Sequence, residues 1–178
     1  QEELCPMAIS PLQLLRPRQL PESIYVEIIN DLFSATPSIV VFMVSQCLIG
    51  TVIFLETGDR TILGLTLLAV LVSAERIWMI HRYHRTAEGR KLSRDEAAGW
   101  ERQFAIRSIA TAVVVSATGV RCFILPDPAV HMLIVGVIST YAAGTVTRVA
   151  YRPRLALINL SIVAIPPSIA CMAHGGLI

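Results

Sequence analysis

Four ionisable residues sit inside long apolar runs: Glu75, Arg76, Arg107 and Arg121. A charge in a hydrocarbon environment is costly, so such residues pair with each other, reach the interface, or line a ligand or ion path. Glu75 is the least able of the four to reach water, because a carboxylate stem is short. It is expected to pair with Arg76 or Arg107. His81 and His84 are three residues apart and could share one helix face. Two imidazoles do not complete a metal site, and Arg82 and Arg85 crowd them with positive charge. Heme would need histidines within the bilayer, and His131 is the only one inside an apolar run. No metal or other cofactor is therefore expected. Among Cys5, Cys47, Cys122 and Cys171 there is no C-x-x-C pair. Cys122 and Cys171 fall near the same ends of their runs, which leaves a disulfide or two small apolar side chains as the alternatives. No phosphate loop, nucleophile elbow or HExxH motif occurs, so no catalytic residue is assigned.

The elements that hold these residues follow from the apolar runs. The chain has 178 residues, of which 54% are hydrophobic and 16% charged; a soluble domain carries about a quarter charged residues. Mean hydropathy is +0.62. Five runs approach bilayer length, at about 38–55, 61–80, 104–125, 129–147 and 155–173. Barrel strands would be about ten residues long with alternating polarity. These runs are longer and apolar on all sides, so each is expected to be a helix whose backbone pairs within itself. The fold class is all-α, a polytopic membrane bundle of about five spans.

Residues 1–20 are polar and proline-punctuated and lack the features of a signal peptide. They are expected to be extended or disordered. Pro21 opens residues 21–37, where Ile24, Ile28 and Leu32 recur at helical spacing. This segment is expected to be an amphipathic helix, either on the membrane surface or packed on other protein. The membrane domain then occupies 38–178.

Lys and Arg in the connections set orientation. Six bases lie in 81–103, and Arg148, Arg152 and Arg154 follow the fourth run, whereas 126–128 has none. The basic connections are assigned to the cytoplasm, with the N-terminus inside and the C-terminal tail outside. Net charge is only +2, and nothing points to nucleic acid. Ser93 and Glu96 fit a capping box, so a helix is expected to start there and run into the third span. Trp78, Tyr83, Trp100 and Tyr151 fall at interfacial depth.

Small residues suggest where helices touch. Gly136, Thr140 and Gly144 repeat every four residues, as do Ser108, Ala112 and Ser116. Such stripes let backbones approach; they are expected to pack the third and fourth spans together, with homodimerisation the alternative. Pro166-Pro167 is expected to break or kink the fifth span.

Three segments carry a resemblance: PESIYVEIINDLFS (21–34), GWERQFAIRS (99–108) and TYAAGTVTRVAYRPRLALINL (140–160). They resemble the N-terminal membrane region of alphaproteobacterial signalling proteins whose cytoplasmic GGDEF and EAL domains make and degrade cyclic di-GMP. Tyr141, Ala143, Gly144, Arg148, Arg152 and Pro153 fit that pattern best. The resemblance implies a sensory or anchoring module in the bacterial inner membrane, with pairing of two copies through membrane or output domains. Neither a GGDEF nor an EAL signature is present, so no cyclase activity falls on any residue here. A start at Gln1 and five spans ending outside lead to the expectation of a longer parent protein with a sixth span and an output domain. The alternatives are a small carrier or channel with Glu75, Arg121 and Pro166-Pro167 along its path, and a purely structural anchor. In every case the lipid bilayer is the immediate partner.

Overall fold

The computed structural model describes residue 33 and residues 36–86, 93–149 and 152–174. The expected extended segment 1–20 and amphipathic helix 21–37 fall largely outside the described residues. Five helices follow: α1 (Thr36–Thr57), α2 (Arg60–Thr86), α3 (Arg94–Ile124), α4 (Pro128–Val149) and α5 (Pro153–His174). Each is long and apolar enough to cross a membrane. The fold is an all-α bundle, and the protein is a multi-pass membrane protein.

Local chemistry sets the helix ends. Ser93 caps α3: its hydroxyl accepts from the Glu96 N–H, and the Glu96 carboxylate accepts from the Ser93 N–H. The expected capping box is therefore present, and α3 begins well before its apolar run. At 31 residues it is about 46 Å long. Asp59 and Asp127 cap α2 and α4 by accepting from Thr61 N and Ala129 N, each at 2.8 Å. Gly58 adopts φ +65° after α1, a left-handed conformation that favours glycine and ends the helix.

The short turns make neighbours in sequence antiparallel, so α1, α3 and α5 share one direction. Helices α1 to α4 form a ring closed by α1 against α4, and α5 lies in the groove between α3 and α4. Helix α3 is the hub. Half of its membrane window is buried inside the bundle, against 22–33% for the other four. Its outward side narrows to Ile106, Val113, Ala117 and Ile124. Elsewhere the outer surface is large and apolar, with Val41, Leu48, Leu55, Leu71, Met132 and Leu157 exposed. Such a surface suits lipid and is far beyond what a water-soluble monomer leaves open.

Threonine hydroxyls inside this apolar frame bond to their own helices. Thr66, Thr111 and Thr118 each donate to the carbonyl four residues earlier. The backbone supplies the partner that water would supply elsewhere.

Two glycines fix close crossings. A Cβ on Gly50 would overlap Thr66 Oγ1 and lie 2.8 Å from Thr66 Cγ2, between α1 and α2. A Cβ on Gly119 would lie 2.9 Å from Pro167 Cγ and 3.1 Å from Ile138 Cδ1. Gly119 is thus where the hub meets both α4 and α5. Helix α5 passes through Pro166 and Pro167 as one element, so of the expected break or kink the break does not occur. Pro167 is buried, and its ring seats against Gly119, which holds the helix where two amide donors are missing.

Candidate functional site

The ring and its hub bring polar groups together in three layers. We call the end carrying the α2–α3 and α4–α5 connections the basic end, and the opposite one the far end.

At the basic end, Arg107 Nε and Nη2 both approach Glu75 Oε1, at 2.9 and 2.7 Å. Glu75 therefore pairs with Arg107 across α2 and α3. Arg76 turns to the other side of α2, because adjacent residues on a helix point about 100° apart. It is buried, with its guanidinium 4.7 Å from the Phe104 ring centre. Arg152 Nη2 donates to Glu101 Oε2 at 2.9 Å, joining the start of α5 to α3. An aromatic cluster closes this end: Phe33 stacks on Tyr83 at 4.0 Å and meets Trp100 and Phe104 edge-on. His84 Nε2 lies 3.2 Å from the Phe33 carbonyl oxygen, while His81 is exposed. The two imidazoles do not converge, and among the described residues no group of three metal-ligating side chains forms.

The Glu75–Arg107 pair predicts a double-mutant result. Glu75→Gln leaves Arg107 facing an apolar helix without its carboxylate. It is expected to destabilise the bundle more than Glu75→Gln/Arg107→Gln does, with a coupling energy of about 1–3 kcal/mol. Thermal unfolding in detergent reads this.

The middle layer is a node on Ser108. The Tyr141 hydroxyl of α4 donates to the Ser108 carbonyl at 3.2 Å, and Asn159 Nδ2 of α5 donates to Ser108 Oγ at 3.1 Å. Asn159 is 0% exposed, and its Oδ1 has no hydrogen-bond partner among the described residues. Buried Gln46 of α1 has an Oε1 in the same condition. The Glu101–Arg152 and Ser108–Asn159 contacts are seven residues apart along both segments. The two parallel helices therefore meet along a two-turn seam.

At the far end, Arg121 Nε donates to Asp59 Oδ2 at 2.6 Å. Asp59 thus caps α2 with one oxygen and ties it to the hub with the other. Its carboxyl is held below the ordinary carboxylate range, first by the Thr61 N–H and then by Arg121, against the opposing pull of partial burial. His131 lies against Phe123, with Nε2 2.7 Å from the Leu125 carbonyl oxygen.

Of the small-residue stripes, Ser108, Ala112 and Ser116 are buried on the hub. Gly136 and Thr140 instead face outward, and a Cβ on Gly136 would meet nothing. The expected packing of that stripe against the third span is corrected: α4 turns Val130, Ile134, Val137 and Tyr141 inward. Gly144 is half-buried. Cys122 and Cys171 pack in one apolar cluster as free thiols. The side chain of Arg148 and all of Cys5 and Tyr151 fall outside the described residues. Glu75 and Arg121 are paired at opposite ends of the bundle, Pro166 is exposed and Pro167 is buried.

Charges inside the apolar runs do not point to Asn159, Gln46, Asp59 or Glu101, of which the first two are amides and the last two lie outside those runs. Asn159 and Gln46 carried a readable signal, as single amides within runs otherwise rich in aliphatic residues. Comparison with protein-family models, curated proteins and solved structures found no match.

Proposed function

We propose that this chain is the membrane sensory and anchoring module of a bacterial inner-membrane signalling protein, with its N-terminus in the cytoplasm and an output that acts on cyclic di-GMP. The sequence segments set out above supply the signalling part of this reading. The observation that carries the sensory part is Asn159. A fully buried amide oxygen without a partner, at the junction of three helices, costs stability that an aliphatic side chain would not. Such local inconsistencies concentrate where a protein functions. A cue that supplies a hydrogen-bond donor to this oxygen would shift α5 against the hub. Movement of α5 would reach the basic end along the seam that ends at Glu101 and Arg152.

Asn159→Leu is expected to leave the bundle as stable as before or raise its stability by about 1 kcal/mol, because it removes a buried amide oxygen without a partner at the loss of the single bond that Ser108 Oγ accepts. Cyclic di-GMP in cells carrying the parent gene with this substitution should change several-fold although the protein is folded and inserted. Unchanged cyclic di-GMP would remove the role of Asn159. A reading frame that stops directly after Ile178 would remove the signalling assignment altogether.

A further inference from the structure

Some arginines are held by the bundle, whereas Arg60, Arg82, Arg85, Arg102 and Arg154 are exposed. Arg107, Arg121 and Arg152 each reach a carboxylate on another helix, and Arg76 is buried against Phe104. Arg82 and Arg85, at the basic end of α2, are exposed, and neither meets a carboxylate among the described residues. They do not stand alone. Trp78, His81, Arg82 and Arg85 follow the i, i+3, i+4, i+7 pattern and so form one stripe along the helix. All four are exposed, Trp78 at 57%. The Arg82 guanidinium lies over the Trp78 ring, 5.8 Å from its centre.

Depth gives this stripe its meaning. A hydrocarbon layer about 30 Å thick spans about 20 residues of helix. Counted from Thr61, at the first turn of α2, that layer ends near Ile80. Trp78 then lies within its last turn, where an indole prefers to sit. His81, Arg82 and Arg85 lie just beyond, at the level of lipid phosphates. The stripe faces away from the bundle that the described residues form, the side on which lipid would lie. A guanidinium matches a phosphate in geometry as well as charge, and the Trp78 ring below covers an acyl chain.

We propose that the Trp78–His81–Arg82–Arg85 face of α2 is a binding site for the headgroup of an anionic phospholipid, with Arg82 and Arg85 on the phosphate and Trp78 against the upper acyl chain. Two arginines facing helices and paired with carboxylates would not do this. The exposed pair carries positive charge that meets no carboxylate among the described residues, and an anionic headgroup complements it.

The test is native mass spectrometry of the detergent-solubilised chain exposed to equimolar phosphatidylglycerol and phosphatidylcholine of matched acyl chains. The wild-type chain is expected to retain phosphatidylglycerol with a preference of roughly thirtyfold, the scale that two basic groups at a lipid surface supply. Arg82→Gln/Arg85→Gln should reduce this to within about twofold. Arg60→Gln, an exposed arginine at the far end, should leave it unchanged. All three substitutions fall on exposed side chains outside the packed interior, so retention of fold is expected and is read by helical content in the same samples. Equal retention of both lipids by the wild type overturns the proposal, as does a preference that survives the double substitution. Loss of the preference in Arg60→Gln would assign it to overall charge and also overturn it. Displacement of phosphatidylglycerol by millimolar inorganic phosphate would assign the stripe to soluble anions instead, and the lipid site would fall.

Discussion

Gly119→Val is expected to destabilise the bundle by about 3 kcal/mol, and Gly119→Ala by about 1–2 kcal/mol. Glycine to alanine within a helix ordinarily stabilises it by about 0.5–1 kcal/mol. The sign reverses at Gly119 because the added Cβ would meet the Pro167 ring at 2.9 Å and Ile138 Cδ1 at 3.1 Å. A proline ring cannot swing aside as the tip of a flexible side chain can. The helix containing it would have to move, and with it the Ser108–Asn159 contact on the same pair of helices. Gly99 is the internal control. It lies on the same helix, α3, where a Cβ would meet nothing, so Gly99→Ala should show the ordinary gain. Thermal unfolding in detergent, followed by helical signal, gives both values. Equal effects at the two positions would show that α5 does not seat on the hub at Gly119.

Asp59→Ala is expected to cost about 2–3 kcal/mol. It removes the cap on α2, about 1 kcal/mol, and one charge-assisted bond to Arg121, about 1.5 kcal/mol or more. Arg121 keeps 37% of its side chain exposed and can hydrate, which limits the loss. The same residue sets a pH dependence. Its carboxyl is held below the ordinary value in the folded chain, so the unfolded chain binds the proton more readily. The resulting stabilisation is fully present above the unfolded carboxylate value. It is lost as pH falls through that range toward the lower folded value. The unfolding midpoint of the native chain should therefore drop on acidification below about pH 4 by more than that of Asp59→Asn. Parallel curves for the two would mean that Asp59 does not hold the far end.

These residues also mark where sequence reasoning reached and where it stopped. Helices were legible because their causes are local. An apolar run of bilayer length has to pair its own backbone, and Ser93 with Glu96 announces the start of α3 within four residues. The pairing of Glu75 was half legible, since two arginines were in reach. Only the packing of α2 on α3 separated them, placing Arg107 on the carboxylate and Arg76 under Phe104. The Gly136–Thr140 stripe shows the opposite case. Small residues permit close approach but do not compel it, and α4 turned its bulkier side inward.

The sequence by itself determined the helical class, the spans, the capped start of α3 and the distribution of charge between the two ends. Each depends on residues within a turn or two of one another, or on the solvent each residue must face. Tertiary structure alone decided that α3 is the hub, that Gly119 receives Pro167, and that Asn159 is buried on Ser108 with one oxygen unpartnered. Those contacts join residues 48 to 51 positions apart. Which of many apolar faces meet is settled by shape when helices pack in lipid, because lipid and neighbouring helix are equally apolar and hydrophobicity favours neither.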